Sequence, residues 1–296
     1  MAPSIDGLPH RRVSFEADGR LISDDGAAAP VPRDLYVFCH GWNTSAASAA
    51  ELGVAMARLI AAALPAARRS DTGFLTVGWP SLLFPEDEPA ADGPVLTGAG
   101  AAQSAGGPPP RAPDDALSTG ADLVLALVPA FPTQKEQLVR IGTLLDTRPQ
   151  RRARLVELHE LVSGLVTTPN DAAEDRGEDS ALHTDTATVL DALAALAPAT
   201  DGGVQGLGPF DALWSGGREL LRVLSYYEMK NRAGVIGRVG LGPLLAGLPG
   251  DPRVHLVGHS FGARMVSYAL TAPGWTARSL LLVQGAFSHF AFAPEL

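Results

Sequence analysis

Cysteine is nearly absent. Cys39 is the single one in 296 residues, which excludes a disulfide framework and any cysteine-rich metal centre. It lies in the apolar run Leu35-Tyr36-Val37-Phe38-Cys39, where a small buried strand residue is expected rather than a reactive thiol. Clusters of positive charge are missing as well. Lys and Arg number 23 against 32 Asp and Glu, a net charge of -9, and the arginines occur only in short runs such as Arg68-Arg69 and Arg151-Arg152. Nucleic acid and an anionic membrane surface are therefore not expected as partners, since both require clustered Lys and Arg. The first residues contain no apolar stretch of the secretory type. Uncharged apolar runs fall short of the roughly 20 residues that span a bilayer, with Arg58 and Pro129 interrupting the two longest. No transmembrane segment is expected, and the location inferred is cytoplasmic. No histidine pair has metal-ligand spacing, and neither a metal nor an organic cofactor is expected. The oligomeric state is not legible.

What is present is enough chain to bury about three quarters of its unfolded surface, as one large α/β domain with an insertion. Residues 1–33 are rich in Pro and Asp. The alternation Val13-Ser14-Phe15-Glu16 and the turn Asp18-Gly19 predict a short hairpin there, with His10 in a loose terminus. Residues 34–84 read as the first part of the core. A strand over 35–39 has the continuous apolar character of one buried on both faces of a parallel sheet. A helix over 45–64 follows, with Leu52, Met56, Leu59 and Ile60 on one face and Pro65 as its stop. A strand over 73–79 completes a right-handed crossover unit.

Residues 85–215 break this alternation. The Gly-, Pro- and Ala-rich stretch 85–113 is expected to be a mobile loop. Three helices follow: one opening with a capping box between Thr133 and Glu136 and continuing through Leu138, Ile141 and Leu145, one carrying Leu155, Leu158, Val162 and Leu165, and one over 185–196. This insertion is either a lid over a pocket or a helical decoration. Residues 216–296 resume the α/β pattern with the end of a helix over 211–232, supported by Glu228 and Arg232 one turn apart, strands over 254–257 and 280–283, and a helix over 261–270. The glycines at 234, 237, 240 and 242 lack the Gly-Lys-Ser ending of a phosphate loop and read as a turn after that helix.

Two elements carry chemistry. Gly258-His259-Ser260-Phe261-Gly262 stands directly between a strand and a helix, the setting in which a serine can project clear of its own backbone on a turn too tight for flanking side chains. The helix start adds a favourable dipole for a developing negative charge. His40-Gly41-Trp42 ends the first strand of the core, and the backbone N–H groups of Trp42 and Phe261 are the candidate oxyanion donors. The alternative for His40-Gly41 is a simple strand-ending turn. His259 is expected to point away from Ser260, His255 to lie in a buried strand and His159 on a helix face.

The segments Val37-Phe38-Cys39-His40-Gly41-Trp42-Asn43-Thr44, Val77-Gly78-Trp79-Pro80-Ser81 and Val257-Gly258-His259-Ser260-Phe261-Gly262 together resemble the α/β-hydrolase superfamily. The nearest likeness is to its bacterial branch with an H-G-[FYW]-N motif, a W-P-S-like motif and a G-H-S-x-G motif. The resemblance covers about half of the chain. It implies an α/β fold with a mostly parallel sheet and a helical insertion. It also implies hydrolysis of a small-molecule ester or related acyl bond through an acyl-enzyme on Ser260, without a cofactor. The alternative is a catalytically inactive α/β-hydrolase-like binding or interaction module.

The pattern departs from that family after Ser260. An Asp or Glu and then a His should follow the nucleophile, yet only Glu295 and His289 do so, and the final two strands usual for the fold have no counterpart. The first expectation is that acid and base lie beyond Leu296. The others are an unusual base, His289 or His183, or a scaffold without catalysis.

Overall fold

The computed structural model describes residues 3–26, 30–81, 84, 119–170, 172–175, 184–196 and 209–292. The loop expected over 85–113, His183 and Glu295 lie outside the described residues. Contact clustering divides the chain into two compact units, one holding residues up to 81 and 230–287, the other holding most of 82–229 and the residues from 288.

The first unit contains a seven-stranded, mostly parallel sheet, open at its edges and accompanied by helices, which is the α/β-hydrolase-like architecture the motifs led one to expect. Its strands are β1 (Ser4–Ile5), β2 (Leu8–Phe15), β3 (Leu21–Asp24), β4 (Asp34–Cys39), β5 (Thr72–Gly78), β6 (Arg253–His259) and β7 (Ala277–Val283). They lie in the order β1-β2-β5-β4-β6-β7, with β3 paired to β2. The β2-β5, β5-β4, β4-β6 and β6-β7 pairs are parallel. The N-terminal hairpin forms from β2 and β3, paired from Val13 with Asp24 to Phe15 with Leu21, but β2 reaches back to Leu8 and joins the main sheet along β5. His10 is accordingly not in a loose terminus. It is buried, and its Nε2 lies 2.9 Å from the Thr76 hydroxyl.

Helix α1 (Ala46–Ala63) begins at Ser45, whose hydroxyl accepts from the Ser48 N–H at 3.1 Å. Its buried residues are Ala49, Gly53, Ala57 and Ala61; Leu52, Met56 and Ile60 pack beside them against Phe38, Phe74 and Val257. Leu59 is exposed instead of lying on that face. The helix approaches β5 so closely that a methyl group on Gly53 would come within 2.7 Å of Thr76 Oγ1, so small side chains occupy the seam and larger ones flank it. By length and composition α1 is the one helix among the described residues that could cross a membrane, Arg58 notwithstanding; packing on a sheet accounts for the same apolar character.

Two short helices follow in this unit, α2 (Ala66–Arg69) before β5 and, after a longer excursion of the chain, α8 (Gly242–Ala246). The glycine-rich stretch before α8 is not a turn. Helix α7 (Pro209–Val235) continues through a π-helical segment, Ile236–Leu241, directly into α8. The glycines serve close approach: a methyl group on Gly237 would overlap the Met265 carbonyl oxygen of helix α9 (Phe261–Ala269), and one on Gly240 would come within 2.6 Å of the Gly19 carbonyl.

The second unit is helical: α3 (Gly120–Leu127), α4 (Lys135–Thr147), α5 (Arg152–Ser163), α6 (Thr186–Leu196) and α7 up to residue 229. The capping box is at Thr119 and Asp122, opening α3. At Thr133 the chain instead makes a 3-10 turn, Pro132–Gln134, and α4 starts at Lys135 without a side-chain cap. Proline at the first position of that turn lacks an N–H to be capped. Glu157 joins α4 to α5 by bonding Arg140 at 2.5 Å and Arg154 at 2.6 Å. His159 is buried and contacts Thr186 Oγ1 at 2.7 Å. Glu228, read from the sequence only as helix support, also reaches outside its helix. It is fully buried and accepts the N–H groups of Thr167 and Thr168, each at 2.9 Å.

The N-terminal ends of β4 and β6 are clamped by Asp34. Its carboxylate accepts a two-pronged bond from Arg253, Nε at 2.7 Å and an Nη at 2.5 Å, and a third bond from Arg68 at 2.7 Å. The Arg253 hydrogen bond, with Arg68 and His255 adding to it and burial opposing, brings the Asp34 pKa down to about 2. The folded value lies below the ordinary one near 4, so the clamp's contribution is fully present above about pH 4 and is lost as pH falls toward 2. The urea midpoint of the wild type should exceed that of Asp34→Asn at about pH 6, and the gap should shrink progressively below about pH 4. A gap that stays constant with pH would refute the clamp.

Candidate active site

The parallel strands set the location. β5 lies on one side of β4 and β6 on the other, so the chain order reverses direction between β4 and β6. Ligands of open α/β sheets bind at such a reversal, outside the carboxyl ends of the strands. Cys39 at the end of β4 pairs with Gly258 near the end of β6. The two segments singled out by motif, His40-Gly41-Trp42 and Gly258 to Gly262, therefore leave the sheet side by side.

Ser260 has φ 53° and ψ -118°. That backbone is one an L residue adopts only when its surroundings enforce it. The enforcement is visible on both flanks. A methyl group on Gly258 would come within 2.5 Å of Ala263 Cα and Gly262 O, and one on Gly262 would overlap the Cys39 carbonyl oxygen. Strand β6 and helix α9 thus meet across a turn that tolerates glycine alone at these two positions. The turn is held by backbone bonds from Ser260 N–H to Val283 O at 3.0 Å, Ala263 N–H to Ser260 O at 3.0 Å and Ala286 N–H to Ser260 O at 3.2 Å. Ser260 is buried.

The loop after β4 packs on this turn: a methyl group on Gly41 would come within 2.8 Å of Ser260 Cβ and 3.0 Å of His259 Nδ1. Trp42 and Phe261, whose N–H groups were the expected donors, are both buried neighbours with ring centroids 6.1 Å apart. The loop is braced from β5. Trp79 Nε1–H donates to the His40 carbonyl at 3.2 Å, and the Ser81 hydroxyl donates to the Thr44 carbonyl at 2.7 Å. The motif Trp79-Pro80-Ser81 was visible in the sequence, but its bracing role was not. The contribution of Val283, which accepts from the Ser260 N–H, and of Ala286, which donates to the Ser260 carbonyl, had no sequence signal at all.

The histidines divide clearly. His40 is buried, its Nδ1–H donates to the Gly41 carbonyl at 2.9 Å, and its ring lies against Trp79 at 5.7 Å. Burial pushes its pKa down to about 4, with nearby His259 adding to the effect, so it is neutral at neutral pH. His259 lies 3.3 Å from Gln284 Oε1 through Nε2, and burial lowers its pKa too. His255 sits at the other end of β6, between Ser279 and Asp34. His289 belongs to a short 3-10 turn, His289–Phe292, of the second unit, and its side chain lies outside the described residues. Cys39 is fully buried, and burial raises its thiol pKa, in keeping with a packing role. Among the described residues no group of three His, Cys, Asp or Glu could hold a metal ion.

Three substitutions probe this construction. Gly262→Ala should destabilise the fold by about 1 to 3 kcal/mol through overpacking, whereas Gly247→Ala, where an added methyl meets nothing closer than 3.4 Å, should change stability by less than about 0.5 kcal/mol. Trp79→Phe keeps the ring against His40 and deletes the bond to its carbonyl, for an expected cost of about 1 kcal/mol. Urea unfolding measures all three; equal tolerance of alanine at 262 and 247 would contradict the close-contact account.

No family model, curated protein or solved structure matches the chain.

Proposed function

We propose that this protein is a serine hydrolase that cleaves an ester-like acyl bond through an acyl-enzyme on Ser260. The observation that carries this reading is the enforced backbone of Ser260, φ 53° and ψ -118° at a strand-to-helix turn, flanked by two glycines that admit no side chain. Backbone strain held at a hydroxyl-bearing residue, where glycine would relieve it, is characteristic of functional sites.

In this reading the Ser260 hydroxyl oxygen attacks the substrate carbonyl carbon while a histidine takes its proton. The carbonyl oxygen becomes an oxyanion that the N–H groups of Trp42 and Phe261 stabilise. Collapse expels the alcohol, which regains the proton, and water then releases the acyl group by the same steps in reverse roles. Burial of Trp42, Phe261 and His40 lowers the local dielectric, which strengthens hydrogen bonds to a developing charge. Neither His40 nor His259 serves as that base. His40 is too weak a base at about 4 and its Nδ1 is engaged by Gly41, and His259 is engaged by Gln284.

Reaction with a fluorophosphonate probe tests the proposal without knowledge of the substrate. The folded wild type should be labelled and Ser260→Ala should not. Labelling that survives in Ser260→Ala, or none in folded wild type, would overturn the reading in favour of a catalytically inactive binding scaffold.

A further inference from the structure

At the opposite end of the strands from Ser260, the first unit has a cavity of about 180 Å³ whose lining includes Asp34, Tyr36, Arg68, Arg253, His255 and Arg278. Three arginines and one aspartate are among its lining residues, so the lining carries a formal excess of two positive charges in a chain whose net charge is -9. Asp34 is buried and its oxygens are occupied: Oδ1 by Arg253 Nε at 2.7 Å with His255 Nε2 at 3.4 Å, Oδ2 by Arg253 at 2.5 Å and Arg68 at 2.7 Å. The carboxylate thereby fixes two guanidinium groups in place. Arg253 and Arg68 remain about half exposed, at 41% and 49%, so part of each donor fork still faces solvent. Arg278, exposed on β7, makes no hydrogen bond or ion pair among the described residues. His255 stacks on Tyr36 with centroids 4.5 Å apart and bonds Ser279 at 2.8 Å, which gives the cavity a rigid aromatic wall.

We infer that this cavity binds a small phosphate-class oxyanion, either free or as the end group of a phosphate monoester. Arginine forks match the tetrahedral oxygens of phosphate in paired bonds, and a dianion balances the formal excess of two positive charges. A volume of about 180 Å³ is below the roughly 300 Å³ of a site that encloses a drug-sized ligand, so the anionic group is bound and any ester substituent projects outward. β4 advances from Asp34 to Cys39 at about 3.3 Å per residue, which separates this site from the carboxyl ends of the strands by about 17 Å. The site is thus independent of the chemistry proposed for Ser260. It gives the folded chain a ligand that stabilises it by mass action.

Calorimetric titration of the whole chain at low ionic strength tests this, with inorganic phosphate in one arm, phenyl phosphate in a second and sodium chloride of matched ionic strength in a third. Saturable one-site binding is expected in the first two arms and none in the third. Tighter binding of phenyl phosphate identifies a monoester as the source, and equal binding identifies the free ion. Arg278→Glu, on an exposed side chain outside the Asp34 clamp, should weaken phosphate by about tenfold or more, the worth of one charge-assisted hydrogen bond. Arg20→Glu makes the same change in net charge at a side chain 67% exposed on the β2-β3 hairpin and should leave binding unchanged. Circular dichroism establishes that both variants fold. Absence of saturable binding to folded wild type, or equal weakening by both substitutions, would overturn the inference and leave the arginines as a structural clamp.

Discussion

The approach of Gly262 to the carbonyl oxygen of Cys39 is the contact on which the candidate site depends. It brings the first turn of α9 against the end of β4, and that proximity leaves Ser260 no relaxed backbone. The serine must then take positive φ, a conformation that costs of order 1–3 kcal/mol for a non-glycine residue and persists only where the surroundings over-determine it. The surroundings here are three backbone hydrogen bonds at Ser260 itself and the packing of Gly41 on its Cβ. Remove the close approach, and neither the strained serine nor the juxtaposition of Trp42 with Phe261 has a reason to exist.

The same two strands are treated differently at their two ends. At the amino ends β4 and β6 are joined by charge, through Asp34 and its arginines. At the carboxyl ends they are joined by backbone contact among glycines, and the titratable groups are kept neutral: burial lowers the pKa of His40 to about 4 and raises that of the Cys39 thiol. An ion pair at the carboxyl ends would compete for any charge that forms on a substrate, whereas an uncharged setting does not. The distribution therefore suits a site for chemistry at one end and a site for a resident anion at the other.

The parts of this arrangement that are local in sequence were legible there. Continuous apolar runs announced β4, β5 and β6, and five consecutive residues, Gly258 to Gly262, were enough to place a strained turn because the turn is a property of those residues and their immediate neighbours. What escaped was set by tertiary contact. Leu59 reads as a core residue by helical spacing yet is exposed, because the closeness of α1 to β5 favours Gly53 and Ala57 over larger side chains. Glycines 237 and 240 read as chain breakers, yet they sit within continuous helix, where the absence of a side chain lets two backbones meet. His10 read as part of a loose terminus and Glu228 only as helix support, because a single sequence does not reveal that Thr76 or the Thr167 and Thr168 amides await them.

The same distinction explains why a candidate nucleophile was easier to read than a candidate base. A nucleophile of this kind is defined by backbone strain, which short-range sterics impose and five residues can encode. A base is defined only by where its ring stands relative to that serine, which the whole fold decides and no short motif records. Histidine count alone misleads, as His40 shows: it is buried within the loop that packs on the Ser260 turn, yet its Nδ1–H is spent on the Gly41 carbonyl and its ring lies against Trp79. It braces the loop that packs against Ser260. Proximity in sequence to a catalytic motif is thus evidence of bracing as readily as of proton transfer, and only hydrogen-bond partners separate the two.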